Sequence, residues 1–183
     1  MVTGSAPVAT QILHAAGIAF ACKLRKARAV TVAYCGDGAT AEPDFLEGIR
    51  FAAQHQLPAV FICEQDCTQR DLSATPSSLQ TTSFPAGLTR QCIDGTDIIA
   101  VYTAMQTAMQ HAREGHGPVL LAMYVTRAAP DEHSSLEDRV GWQDPLLLCQ
   151  RFLQELGAWD PAWAAQLYAR FSAEIERAMH DAL

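Results

Sequence analysis

No run of apolar residues in this sequence is long enough to span a bilayer, so a membrane-crossing helix is not expected. Basic charge is not in excess either: 13 Lys and Arg stand against 20 Asp and Glu, a net charge of −7 with His neutral. Nucleic-acid binding draws its affinity from cationic side chains on phosphates, so nucleic acid is excluded as the main partner. A local pocket for a phosphorylated small molecule stays compatible with that charge. The N-terminus lacks the charged-then-apolar order of a secretory leader, and a cytoplasmic protein is expected. None of the six cysteines forms a CxxC pair, so neither a zinc ribbon nor a thioredoxin-type site is indicated. Cys22, Cys35, Cys63, Cys67, Cys92 and Cys149 are scattered through the chain, some in apolar runs such as FACK and FICE, which favours buried free thiols over disulfides. Neither GxGxxG nor GxxxxGK[ST] occurs, which ranks a plain nucleotide-binding domain last. There is no internal repeat, low-complexity tract or evident flexible linker.

What is present is a globular composition. The 183 residues are 49% hydrophobic and 18% charged, enough to bury a real core. Residues 7–24 carry Ile12, Ala15, Ala16 and Ala19 at helical spacing. Residues 29–35, AVTVAYC, are β-branched and apolar and read as a buried strand. Pro43 opens a helix with Phe45, Leu46, Ile49 and Ala52 or Ala53 on its apolar face. Residues 58–63 form a second apolar strand, and a polar loop is expected from Glu64 to about Thr82. Asp97 or Thr96 caps the next helix, whose apolar positions are Ile98, Val101, Tyr102, Met105, Ala108, Met109 and Ala112, and Gly115 and Gly117 end it. Residues 118–124 are a third strand, residues 125–143 a loop, and the remainder helical. The domain expectation is an α/β domain over residues 1–143 and a C-terminal helical extension over 144–183.

Strands that are apolar throughout, alternating with helices, predict an α/β fold: a parallel sheet with helices on both faces. Ligands of such sheets sit at the carboxyl ends of the strands. The first strand there runs into Gly36-Asp37-Gly38, and the second into Glu64-Gln65-Asp66. A carboxylate between two glycines can meet an ion while the backbone approaches a phosphate. Acids at the ends of neighbouring strands suit magnesium, which takes one or two carboxylates and fills its shell with phosphate oxygens and water. A tight turn and a solvated loop acid would account for the same residues taken singly.

Residues 39 through 64 separate Gly38 from Gln65, and this spacing resembles the thiamine-diphosphate motif that opens with GDG and closes with an Asn pair. The stretch GDGATAEPDFLEGIRFAAQHQLPAVFICEQD is similar to the alpha subunits of pyruvate and branched-chain 2-oxo acid dehydrogenases. The resemblance extends upstream through SAPVATQILHAAGIAFACK and downstream through IDGTDIIAVYTAMQTAMQHAREGHGPVLLAMYVTR. It implies a thiamine-diphosphate-binding fold and oxidative decarboxylation of a 2-oxo acid with acyl transfer. It also implies magnesium at Asp37, Asp66 and the Thr68 carbonyl, with Gly38, Ala39 and Glu64 toward the cofactor. Ala6 and Val8 would touch the cofactor, and Ser5, the Pro7 carbonyl, Thr10 and Gln11 would hold potassium. Ordinary helix capping would also account for Thr10 and Gln11. His133, followed by Ser134, would lie near the reactive carbon and assist proton or acyl transfer. The implied partners are a beta-type subunit in an α2β2-like hetero-oligomer, a lipoyl domain, and a separate N-terminal alpha segment.

Three departures accompany the resemblance. Gln65-Asp66 replaces the Asn pair, Cys67-Thr68-Gln69-Arg70-Asp71 replaces the usual sequence after it, and the loop before His133 is slightly longer. The family's alpha subunit also begins well before Met1. A separate polypeptide, an incomplete sequence or a shortened, diverged paralogue would each account for this. A non-catalytic assembly subunit and a thiamine-dependent carboligase or acyl transferase subunit are the alternative functions.

Overall fold

A computed structural model describes residues 7–66, 79, 83–125 and 144–182. The chain divides into two compact units, Met1–Pro145 and Leu146–Leu183. The first unit contains α1 (Thr10–Leu24), β1 (Thr31–Gly36), a 3-10 turn (Asp37–Ala41), α2 (Pro43–Gln54), β2 (Ala59–Asp66), β3 (Thr89–Asp94), α3 (Ile98–Arg113) and β4 (Val119–Val125). The four strands are parallel in the order β1-β2-β4-β3. The expected α/β architecture is therefore present.

The sheet buries both faces because its strands alternate between two cores. Ala33, Cys35, Ala59, Phe61, Cys63, Leu120 and Ala122 meet α1 and α2 through Ile12, Ala16, Phe45 and Ile49. Val60, Ile62, Ile93, Val119, Leu121 and Met123 meet α3 through Ala104, Ala108 and Ala112. The β1–α2–β2 and β3–α3–β4 crossovers run in opposite directions along the sheet, and a common hand puts their helices on opposite faces.

Helices α1 and α2 lie side by side in the same direction. Thr10 Oγ1 is 3.5 Å from Asp44 Oδ2 at their amino ends. At the other end Lys23 Nζ donates to the His55 and Gln56 carbonyls at 2.6 and 3.2 Å, satisfying the orphan acceptors of α2. Their closeness depends on Gly48: a Cβ there would lie 2.9 Å from Ile12 Cγ2 and 3.1 Å from its backbone carbon.

Three sequence expectations need correction. First, β3 lies where no strand was expected, because Thr89–Asp94 is an edge strand with only Ile93 buried and so shows no apolar run. Second, β2 continues through Glu64-Gln65-Asp66, which pair with Met123, Tyr124 and Val125 of β4. Backbone pairing there outweighs the polarity of the side chains. Third, the buried face of α3 is Ala104, Ala108 and Ala112, while Ile98 and Tyr102 are exposed. Small residues let the helix axis come close to the sheet.

The second unit holds α4 (Pro145–Glu155) and α5 (Pro161–Asp181). Asp160 caps α5 by accepting from the Ala162 N–H at 2.8 Å, with Pro161 in the first turn. Ala164 is buried, whereas Trp163, Tyr168, Phe171, Ile175 and Met179 are exposed. No helix among the described residues is long and apolar enough to cross a membrane.

Candidate functional site

Because all four strands are parallel, their carboxyl ends share one edge of the sheet. Gly36 stands opposite Glu64 in the β1–β2 register, so Asp37 and Gln65-Asp66 leave neighbouring strands side by side. Asp37 begins the 3-10 turn. Its Oδ1 accepts from the Gly38 N–H at 2.8 Å, and its carbonyl accepts from Thr40 Oγ1 at 2.6 Å. Thr40 and Ala39 are buried, which anchors the turn from below. A Cβ placed on Gly36 or Gly38 would meet nothing within 4 Å. The protein itself therefore does not demand glycine at either position for lack of room, and the space beside Asp37 is open to a bound group.

Below this turn lies a pair of buried thiols. Cys35 and Cys63 face each other in register on the α1–α2 side, and Cys63 Sγ is 3.7 Å from the Gly36 carbonyl. Cys63 is pushed far above the ordinary thiol range, first by its hydrogen bond with Cys35, then by burial, then by the charges of Cys35, Asp37 and Glu64. The carboxylates of Asp37 and Glu64 thus both act on one buried group.

Gln65 is 1% exposed and Asp66 is half-buried. Glu64 is exposed. Upstream, Gln11 Nε2 donates to the Tyr34 carbonyl on the outer edge of β1 at 3.2 Å. This contact carries Thr10 and Gln11 to the same end of the sheet as Asp37. Ala9, which precedes α1, is buried with φ 68, a left-handed conformation that costs a residue with a Cβ about 1–2 kcal/mol. Pro7 and Val8 are exposed beside it.

The structure therefore collects Pro7, Val8, Thr10, Gln11, Asp37, Gly38, Ala39, Glu64 and Asp66 at the amino end of α1 and the carboxyl ends of β1 and β2. Ser5, Ala6, Thr68 and His133 lie outside the described residues. At the end of β3, which sequence reasoning did not single out, the acids serve the backbone. Asp94 Oδ1 accepts from the Thr96 N–H and hydroxyl at 2.9 and 2.6 Å, and Asp97 Oδ1 caps α3 by accepting from the Ile99 and Ala100 N–H groups at 2.9 and 3.1 Å. Among the described residues no three His, Cys, Asp or Glu side chains form a closed metal cluster.

A profile of the family described as "Dehydrogenase E1 component" matches residues 1–183. The chain belongs to the dehydrogenase E1 component family. Among relatives, the pyruvate dehydrogenase E1 component subunit alpha of Staphylococcus aureus (strain Mu50) is 31% identical over 189 residues, 96% of this chain and 51% of that protein. The 2-oxoisovalerate dehydrogenase subunit alpha of Bacillus subtilis (strain 168) is 33% identical over 196 residues, 99% of this chain and 55% of that protein. The chain thus spans about half the length of these curated relatives. An X-ray structure titled as a thiamin diphosphate-dependent enzyme from Mycobacterium smegmatis aligns with 69% of this chain and 24% of its own, at TM-score 0.49 and 24% identity.

Proposed function

We propose that this chain is the cofactor-holding part of an alpha-type subunit of a thiamine-diphosphate-dependent 2-oxo acid dehydrogenase, acting in the cytoplasm. The observation that carries the reading is the Gly36-Asp37-Gly38 turn: one carboxylate, two glycines with open space beside them, and further acids leaving the adjacent strand. Membership of the E1 family supports the same assignment.

Asp37 and Asp66 would supply carboxylates to magnesium, with the Thr68 carbonyl adding a neutral oxygen. Gly38 and Ala39 would let the backbone approach the diphosphate, with Glu64 beside it. When bound, thiamine diphosphate supplies the electron sink that decarboxylation of a 2-oxo acid requires. Ala6 and Val8 would contact the cofactor, and Ser5, the Pro7 carbonyl, Thr10 and Gln11 would hold a potassium ion. His133 would assist proton or acyl transfer, for which a neutral imidazole is suited near pH 7. A beta-type subunit would complete the site in an α2β2-like assembly, and a lipoyl domain would accept the acyl group. The exposed apolar stripe of α5 supports an interface with one of these chains.

The test is reconstitution with the beta-type chain and any separate N-terminal segment encoded beside it. Carbon dioxide release from pyruvate and from 2-oxoisovalerate is measured with a dye as electron acceptor. Turnover that requires thiamine diphosphate supports the reading. A folded complex that binds the cofactor but turns over neither acid directs attention to carboligation. A folded complex without binding leaves an assembly subunit, a reading that the exchange of the Asn pair for Gln65-Asp66 favours.

A further inference from the structure

At the opposite edge of the sheet from the GDG turn, two imidazoles share a polar hollow that the reading above does not use. His111 lies in the last turn of α3, and His116 lies in the reversal between α3 and β4. Gly115 at φ +84 and Gly117 at φ +102 turn the chain back on itself, and the His116 N–H donates to the His111 carbonyl at 3.2 Å. The two rings come to 5.2 Å between centroids, tilted by 59°.

Each ring has one nitrogen engaged and one open. His111 Nε2 lies 3.1 Å from Thr89 Oγ1 at the start of β3, and His116 Nδ1 lies 3.6 Å from Glu114 Oε2. No further hydrogen bond reaches either imidazole among the described residues. His111 Nδ1 and His116 Nε2 are therefore available to a ligand. Gln106, Thr107, Gln110 and Glu114 line the rest of a hollow of about 300 Å³.

We propose that His111 and His116 form a binding site for a divalent transition ion of the nickel, copper and zinc class. Imidazole nitrogens suit these ions above magnesium or calcium. Metal-binding histidines are commonly held by a hydrogen bond on the second nitrogen, the part Thr89 takes for His111. The carboxyl end of α3 and the nearby Glu114 carboxylate favour positive charge. Two protein nitrogens hold the ion, and water completes its shell. Occupancy ties the α3–β4 reversal to the start of β3 and stabilises the first unit by mass action.

Calorimetric titration of the full chain with nickel at pH 7.5 tests this. Nickel is chosen because imidazole suits it, and Cys92→Ser controls for binding by the exposed thiol. One saturable site is expected in the wild type. His116→Gln, an exposed change that leaves the circular dichroism intact, is expected to weaken it about tenfold or more. Thr89→Val, which removes the hydroxyl on His111, is expected to weaken it several-fold, and both estimates follow the usual cost of losing a ligand or its support. Cys92→Ser should leave it unchanged. No saturable binding at millimolar nickel, unchanged affinity in His116→Gln, or loss of binding in Cys92→Ser would each overturn the proposal.

Discussion

The glycines on either side of Asp37 are separable from folding. Both glycines face open space, so Gly38→Val should leave the unfolding temperature nearly unchanged. Affinity for thiamine diphosphate with magnesium should fall by about tenfold or more, about 1.4 kcal/mol. The pair of measurements, thermal unfolding and calorimetry, distinguishes a site glycine from a structural one. Cys63 makes a second prediction. Its folded pKa is raised, so above the ordinary thiol pKa the unfolded chain has lost a proton that the folded chain keeps. The contribution of Cys63 to stability is whole below that pKa and declines as pH rises past it, by about 1.4 kcal/mol per unit. Urea denaturation at pH 8 and pH 10 should show a smaller loss in Cys63→Ala than in the wild type. The GDG turn was legible in the sequence because its chemistry is contiguous. The Cys35–Cys63 pair was not, because only the register of two parallel strands brings the two thiols together.

At the scale of elements, Gly48 and Gly95 carry the tightest approaches. Gly48→Val drives a side chain into Ile12 and should cost about 1–3 kcal/mol in chemical denaturation, the usual penalty for overpacking. A Cβ on Gly95 would lie 2.6 Å from Val125 Cγ1 and 3.0 Å from the Tyr124 carbonyl. Gly95 also donates its N–H to that carbonyl at 2.7 Å, so it closes the end of β3 onto β4. Asp97→Ala removes the α3 cap and should cost about 1 kcal/mol. Helices α1 and α2 were readable because their buried faces follow apolar periodicity, and Ile12, Ala15, Ala16 and Ala19 are the buried residues of α1. In α3 the fully buried contacts with the sheet are three alanines, with Val101, Met105 and Met109 packed beside them, while Tyr102 is exposed. Strand β3 gave no signal because an edge strand with one buried residue has nothing to alternate.

For the whole molecule, the exposed residues of α5 matter most. Trp163, Phe171, Ile175 and Met179 recur at near-helical intervals, and all are half-exposed or more. Such a stripe marks an interaction surface. Phe171→Asp combined with Ile175→Asp should leave the helical circular dichroism of the chain intact and abolish its co-purification with the beta-type subunit. The central claim, however, concerns the carboxyl edge of the sheet, and magnesium-dependent calorimetry of the reconstituted complex with thiamine diphosphate tests it most directly. The account predicts saturable binding by the wild type only with magnesium, and none by an Asp37→Ala complex of unchanged stability. Binding of equal strength in both, or no binding by a well-folded wild-type complex at millimolar cofactor, would contradict it.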